Sequence, residues 1–448
     1  MRIVIAGAGE VGSHLAKMLS NEYHDITVID SNEDRIRQVS QMGDLIAVEG
    51  SSSSISTLQK AGVQKADLFI AVNPSEDQDM NIMGAILAKR MGAKKVVARI
   101  NNDEYLVPEN KDMFADMGID YLLYPEKTAA KEIVSLLGQT GIAEYIDFGG
   151  GKLQIIVTRL EDGAPVIGNT VEAVTNRFRE QDYRVVAISK EGETIIPRAD
   201  YEFELYDMVY IISTREGISE ALKYTGKINI DVNSLMILGG SPIAVMVAQA
   251  LEEKINVKLV DSSKEKCMML AEELKNTLII NADLRNTDAL KEEDLGNMDA
   301  LIALTPSSET NILACLAGKK AGVKKTIAEI ENIEYIKLAE SVGIDTVINK
   351  KIIAAGRVFR FTMDADIQVI KYLTGSDAEV VELIAKANSP ATRTKVRNLH
   401  FPKTAIIGGI IRGNQAYIVT GDTEIKPYDR VVVFSQPQSM NKVLKYFA

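Results

Sequence analysis

The feature that most constrains this chain is the run Gly7-Ala-Gly-Glu-Val-Gly12, set between an apolar pentapeptide and an amphipathic stretch. Arg2–Ala6 suits a strand buried on both faces, and residues 10–21 carry Val11, Leu15, Met18 and Leu19 at helical spacing. Passing from buried strand to packed helix in so few residues asks for glycine three times over. Gly7 makes the tight turn, Gly9 lets a pyrophosphate come up to the backbone, and Gly12 lets helix and strand pack closely. Ala8, Glu10 and Val11 complete the turn, where the free N–H groups and the positive end of the helix dipole point at one place. Asp30 ends a second apolar strand, Ile26-Thr-Val-Ile-Asp30, at the position where a carboxylate takes ribose hydroxyls. That acid disfavours a 2′-phosphate, so the expected ligand is NAD(H), with ATP or ADP as further adenine nucleotides, over NADP(H).

Beyond Asp30 the chain alternates helix and strand. Helix signals cover residues 33–41, 54–60, 76–91, 103–117 and 126–137, and short strands cover 45–48, 67–72, 95–100 and 121–124. This rhythm predicts a six-stranded parallel sheet with helices on both faces, an α/β domain of Rossmann-like form. Ligands on such sheets lie at the carboxyl ends of strands, so the residues to inspect there are Ser51 after Gly50, the Asn73-Pro74 pair and Arg99. Asn73 suits a hydrogen bond to ribose or phosphate, or simply a turn. Arg99 suits a phosphate, or an ion pair with a neighbouring acid. His14 and His24 have no metal-ligand spacing and read as helix-surface residues.

From residue 141 to 213 the rhythm changes to paired strands, one pair turning at Glu191-Gly192, which predicts a small α+β unit. The whole plan then repeats. Leu235-Met-Ile-Leu-Gly-Gly-Ser-Pro-Ile-Ala244 lies over residues 3–12, so Gly239 answers Gly7, and Lys258-Leu-Val-Asp261 places Asp261 over Asp30. Asp299-Ala-Leu-Ile-Ala-Leu-Thr-Pro-Ser307 mirrors residues 67–75, and Tyr428-Asp-Arg-Val-Val-Val-Phe434 mirrors residues 206–212. The fold expected is a tandem duplication: Rossmann-like domains at 1–140 and 226–362, followed by small α+β domains at 141–225 and 363–448. In the second copy Ser241, Pro242 and Ala244 replace Gly9, Glu10 and Gly12, and Glu329 replaces Arg99, so that site, with Gly239 and Asp261 as its candidate contacts, is expected to bind weakly or stay empty, a different nucleotide being the alternative.

Composition narrows the function classes. A net charge of −11 without a basic block makes nucleic acid a poor partner, whereas an acidic surface suits basic cytoplasmic loops of a membrane protein. No apolar run reaches the length of a membrane span, and Met1 leads directly into a strand, so the expected location is cytoplasmic. Cys267 and Cys315 are widely separated within helical patterns and read as reduced, buried thiols.

With these residues in view, the sequence closely resembles the TrkA family, the peripheral subunits of bacterial Trk potassium-uptake systems, whose halves resemble domains that regulate potassium conductance. The resemblance spans the full length and rests on Gly7–Gly12 with Asp30, the Asn73 turn, Ala98-Arg99-Ile100 and both small domains. It implies a regulatory nucleotide site, a membrane potassium-translocating subunit as partner, and a position on the inner face of the membrane. Family members usually carry an acid where this chain has Ser51. In related domains the acid matching Glu126, in Tyr124-Pro-Glu126, meets a divalent ion at a dimer interface; the second copy has Asn349-Lys350 instead, and no metal is assigned here.

Independent of resemblance, a dehydrogenase needs a proton-transfer group and a substrate pocket beside the nicotinamide. The domain after the first nucleotide fold is small and carries no histidine. The expected function is therefore nucleotide-driven switching without catalysis, by a homo-oligomer, dimer or tetramer, that presents repeated domains to a symmetric partner. An NAD-dependent oxidoreductase and a regulator of another ion transporter are the alternatives.

Overall fold

The computed structural model describes all residues except 21–23, 138–141, 143, 178–181, 191–192, 228–230, 360, 362–366 and 373–377. The predicted turn at Glu191-Gly192 lies outside the described residues. The first copy runs β1 (Arg2–Ala6), α1 (Glu10–Ser20), β2 (Asp25–Asp30), α2 (Glu33–Ser40), β3 (Ile46–Glu49), α3 (Ile55–Lys60), β4 (Leu68–Ala71), α4 (Gln78–Met91), β5 (Lys95–Arg99), α5 (Pro108–Asp116), β6 (Tyr121–Leu123) and α6 (Pro125–Leu137). Its parallel sheet has the order β3-β2-β1-β4-β5-β6, in which the chain reverses direction across the sheet between β1 and β4. The single helix expected over 103–117 is broken: Asp103–Leu106 is a 3-10 turn, and Pro108 holds Val107 extended and starts α5 afresh.

The first small domain has β7 (Glu144–Phe148), β8 (Leu153–Arg159), α7 (Val171–Arg177), β9 (Tyr183–Lys190), β10 (Glu193–Ile195), β11 (Met208–Thr214) and α8 (Ile218–Tyr224). The second copy repeats the Rossmann-like plan as β12 (Ser234–Leu238), α9 (Pro242–Leu251), β13 (Asn256–Asp261), α10 (Lys264–Glu273), β14 (Thr277–Asn281), α11 (Thr287–Glu292), β15 (Ala300–Ala303), α12 (Ser308–Ala321), β16 (Lys325–Glu329), α13 (Glu334–Ser341), β17 (Thr346–Ile348) and α14 (Lys350–Phe359). It closes with β18 (Ile367–Tyr372), β19 (Glu379–Ile384), β20 (Ala405–Arg412), β21 (Gln415–Ile418), β22 (Arg430–Ser435) and α15 (Pro437–Phe447). The second parallel sheet has the order β14-β13-β12-β15-β16-β17, the same path as the first. The small sheets, β7-β8-β11-β9-β10 and β18-β19-β22-β20-β21, also share one antiparallel order.

Two compact units divide the chain, and the division does not follow the repeat. One holds residues 1–129 with 350–364, and the other holds 130–349 with 365–448. In the first unit α14, a helix of the second copy by sequence, packs on α1. Leu15 and Leu19 of α1 are fully buried; each such burial contributes about 1.5–3 kcal/mol, so α1 is held by packing and its amino end needs no cap of its own. In the second unit Phe148, Leu153 and Tyr210 of one small sheet share a core with Val380, Val432 and Phe434 of the other. Gly409 permits the approach, since a Cβ there would stand 2.7 Å from a methyl of Leu153. Cys267 and Cys315 are buried free thiols.

Candidate nucleotide-binding site

The first glycine turn is shaped by what a side chain would meet. At Gly7, with φ +106°, a Cβ would stand 2.6 Å from the backbone nitrogen of Asn73, and at Gly12 it would stand 1.7 Å from the carbonyl oxygen of Gly7. At Gly9 it would meet nothing within 4 Å. The protein's own packing thus demands glycine at 7 and 12, whereas Gly9 borders open space of the kind a pyrophosphate needs. The residue before α1 is Gly9, which has no side chain with which to cap the helix, so the N–H groups of its first turn are offered to a ligand rather than to a capping residue.

Asp30, 5% exposed, is the brace of the turn. Its Oδ2 accepts from the Ala8 N–H at 2.7 Å and its Oδ1 from the Asn32 N–H at 2.8 Å, with the Arg35 guanidinium 3.8 Å away. A carboxylate offers about four acceptor positions, so bracing and ribose binding are compatible.

Sheet order brings the other candidates to the same edge, after β3, β4 and β5. Ser51 shares a hydrogen bond with the Ser53 hydroxyl at 2.9 Å. Asn73 is buried, and its amide nitrogen donates to Ser52 Oγ at 3.0 Å and Asn81 Oδ1 at 2.9 Å, while Asn81 donates back to the Asn73 carbonyl. Asn73 therefore builds the turn that Pro74 continues. Arg99 is paired with Glu126 at 2.5 Å, both side chains being nearly buried, with Arg99 Nε and Glu126 Oε2 without a hydrogen-bond partner among the described residues. The pair joins the end of β5 to the start of α6.

Two participants escaped the sequence reading. Asn81 is a fully buried amide on the inward face of α4, and its recurrence as Asn311 in the repeat was a usable signal. Lys351 of α14 stands 3.4 Å from Glu10 Oε2, over the first turn of α1. No sequence signal announces that contact. Burial, with Lys351 and Lys17 nearby, lowers the pKa of His14, which is partly covered and not the surface residue expected. His24 likewise stands outside any helix, just before β2, with Nδ1 3.4 Å from the Met1 amine.

The second turn keeps the shape but caps its own helix. Gly239 has φ +92°, and Asp261 accepts from the Gly240 and Ser263 N–H groups at 2.8 Å each, repeating the Asp30 brace. Ser241, however, caps α9 itself, accepting from the Ala244 N–H at 3.3 Å. Glu329 is buried, where the first copy has Arg99. Among the described residues no cluster of three or more His, Cys, Asp or Glu could hold a metal, and no helix is long and apolar enough to cross a membrane.

Fold and site together define a duplicated Rossmann-like protein with a small antiparallel domain after each copy. The TrkA-N domain model matches residues 3–125 and 235–350, and the TrkA-C domain model matches 156–226 and 380–448. The chain belongs to the TrkA family of Trk potassium-uptake proteins. It is 34% identical to a Trk system potassium uptake protein TrkA homolog of Archaeoglobus fulgidus, over the full length of both chains. It is 30% identical to the TrkA of Vibrio alginolyticus, over 97% of this chain and 95% of that one. Among solved structures it resembles the GsuK RCK domain (TM-score 0.62, 15% identity, 99% of this chain and 94% of that one) and the GsuK channel bound to NAD (0.62, 15%, 100% and 78%). The latter likenesses are of fold.

Proposed function

We propose that this chain is a regulatory subunit that binds NAD(H), with ATP or ADP as competing adenine nucleotides, at the first glycine turn. It transmits occupancy to a membrane potassium-translocating partner by conformational change. One observation carries the reading: the first copy starts its helix after Gly9, which borders open space and has no side chain to cap it, with Asp30 bracing the turn, while the second copy caps its own helix with Ser241. The nucleotide contacts fall to Gly7, Ala8, Gly9, Glu10, Val11, Gly12 and Asp30, with Ser51, Asn73, Pro74 and Arg99 framing the cleft. Gly239 and Asp261 keep the architecture of a site whose helix end is already capped by Ser241. Relatives named as Trk potassium-uptake proteins, and GsuK structures bound to NAD and to ADP, support the ligand and partner classes. With that partner, the chain acts at the cytoplasmic face of the membrane, as four modules at 1–140, 141–225, 226–362 and 363–448.

Self-association is supported by matched surfaces. Met83, Met113 and Met117 are exposed on α4 and just after and within α5, and Leu313, Leu338 and Val342 are exposed at the equivalent places on α12 and around α13. Exposed apolar side chains retained at equivalent places in both copies mark a surface that a further domain covers. A ring of such domains shifts between two shapes by as much as nucleotide affinity differs between them, about 1–3 kcal/mol for typical coupling.

The test is potassium flux in membrane vesicles containing the partner. Flux responds to nucleotide only when this chain is present, and Gly9→Glu removes the response while leaving assembly intact. Steady NADH oxidation by the isolated chain, or a response that survives Gly9→Glu, overturns the proposal.

A further inference from the structure

The turns that lead into β11 and β22 hold a conformation their residues do not suit. In each, an aspartate N–H closes on the carbonyl three residues back, Asp207 on Glu204 at 3.3 Å and Asp429 on Lys426 at 3.1 Å. The aspartate carboxylate then accepts the N–H of that same residue, at 2.9 Å and 2.7 Å. The third residue of each turn is left-handed, with φ +71° at Tyr206 and +69° at Tyr428. Such a turn selects glycine there, because a Cβ crowds the neighbouring backbone. Both copies instead carry a tyrosine and leave it outside the protein, Tyr206 being 65% and Tyr428 75% exposed. Leu205 and Pro427, which precede them, are exposed too. An unfavoured backbone that gains no packing for its side chain, in either copy, points to a surface covered by something outside the chain.

The charges around the two tyrosines identify the cover. Tyr206 donates its N–H to the Leu160 carbonyl at 2.9 Å and Tyr428 to the Ala385 carbonyl at 2.7 Å, so the residues flanking the two rings correspond one to one. Glu161 and Glu204 stand beside Tyr206, and Lys386 and Lys426 stand at the same two places beside Tyr428, all four exposed. The reversal extends to the whole domains. Residues 141–225 hold fifteen acids against nine Lys and Arg, whereas residues 363–448 hold eight acids against eleven, in a chain whose net charge is −11. Glu161 and Glu204 also touch Lys227 and Lys190, but both carboxylates are more than half exposed. Ion pairs there are weak, and lone pairs remain for a second cation. An aromatic centre flanked by acids in one copy and by lysines in the other is complementary to itself between chains. The anionic surface of a membrane would suit the basic turn and repel the acidic one.

We propose that the partner of these turns is a second copy of this chain. Leu205 and Tyr206 of one chain meet Pro427 and Tyr428 of another, and Glu161 and Glu204 of the first face Lys386 and Lys426 of the second. Because the two surfaces differ, a two-fold pair of chains makes the contact twice and a ring makes it at every junction. The contact lies on the small domains, apart from the exposed apolar surfaces of the Rossmann-like domains, and needs no nucleotide.

The experiment uses full-length Leu205→Cys and Pro427→Cys chains, prepared separately, mixed at low salt and treated with a short thiol cross-linker. The native Cys267 and Cys315 are buried, and the parent chain supplies the background. Cross-linked dimer is expected in the mixture and in neither variant alone. Adding Glu161→Lys and Glu204→Lys to the Leu205→Cys chain is expected to lower the yield about tenfold, and the yield should return when the Pro427→Cys chain also carries Lys386→Glu and Lys426→Glu. Tyr206→Gly, added to the Leu205→Cys chain, separates binding from folding. It should lower the yield about tenfold or more while holding or raising the melting temperature, since glycine takes the left-handed backbone without strain. No dimer in the mixture, equal dimer in one variant alone, or a yield indifferent to charge reversal overturns the proposal. So does a melting temperature lowered by Tyr206→Gly, which would make the tyrosine a part of the fold.

Discussion

At the scale of single residues, the glycines of the first turn separate fold from function. Gly9→Glu puts a side chain into open space, so the melting temperature should stay within a degree or two of the parent while NADH binding disappears. Gly12→Ala should do the reverse first, because its Cβ would collide with the Gly7 carbonyl and unseat α1 from the sheet. Thermal unfolding with and without NADH distinguishes the two, and equal effects would mean that the turn is structural throughout. Asp30 braces the same turn. A strand-end carboxylate reads in sequence as a ligand group with little structural weight, yet here it accepts two backbone N–H groups in a buried setting. Asp30→Ala should therefore cost about 1–3 kcal/mol of stability as well as weakening NADH binding about tenfold, and Asp30→Asn should restore part of the first loss more than the second. The place of Asp30 at the end of a strand was legible from the apolar run before it. Its bracing of Ala8 was not, because the turn must fold before that N–H and carboxylate face each other.

At the scale of elements, α14 changes what the first site is. Lys351 and Glu10 form a pair that is buried on one side and largely exposed on the other, a geometry that contributes about 0.2–1 kcal/mol. Lys351→Gln should scarcely move the melting temperature but should change NADH affinity, since the ammonium group pairs with Glu10 in the first turn of α1, where the proposed phosphate site lies. An affinity equal to that of the parent would restrict Lys351 to bracing α14.

Strand β16 offers a second test. Lys325 is fully buried, donating to the Ile142 carbonyl at 2.5 Å and to Thr346 Oγ1 at 3.0 Å, and burial pushes its amine down to about 8, with Asp345 opposing. The unfolded chain then binds more protons than the folded one between that value and the ordinary lysine range. Stability should accordingly rise with pH from about 8 towards 10.4. Denaturant unfolding at pH 7.5 and 9.5 should show the parent gaining stability relative to Lys325→Met, and parallel behaviour of the two would place the ammonium in a solvated setting.

At the scale of the whole molecule, the duplication predicts unequal halves and repeated contacts. Hydrogen exchange with NADH should show protection near Gly7–Gly12 and Asp30 and little around Gly239 and Asp261, since Ser241 already satisfies its helix end. Equal protection in both halves would contradict the capped second turn. Met113→Asp and Leu338→Asp should each lower the oligomeric state seen by light scattering, because each places a charge in one of the matched apolar surfaces. A parent-like mass for both variants would remove those surfaces from the assembly.

The sequence by itself determined the two α/β sheets, the small antiparallel domains, their duplication and the identity of the open glycine turn. These follow from apolar periodicity, from glycine spacing and from internal self-similarity, all of which are local or repeated and so visible in one dimension. Only the tertiary structure decided that Asn73 is spent on Ser52 and Asn81, that Arg99 is paired with Glu126, and that α14 leaves its own copy to bring Lys351 over α1. A polar side chain has several partners it could satisfy equally well, and a helix with one apolar face has several it could cover. Which partner and which face are chosen is settled by packing between segments up to hundreds of residues apart, where no pattern along the chain records the outcome.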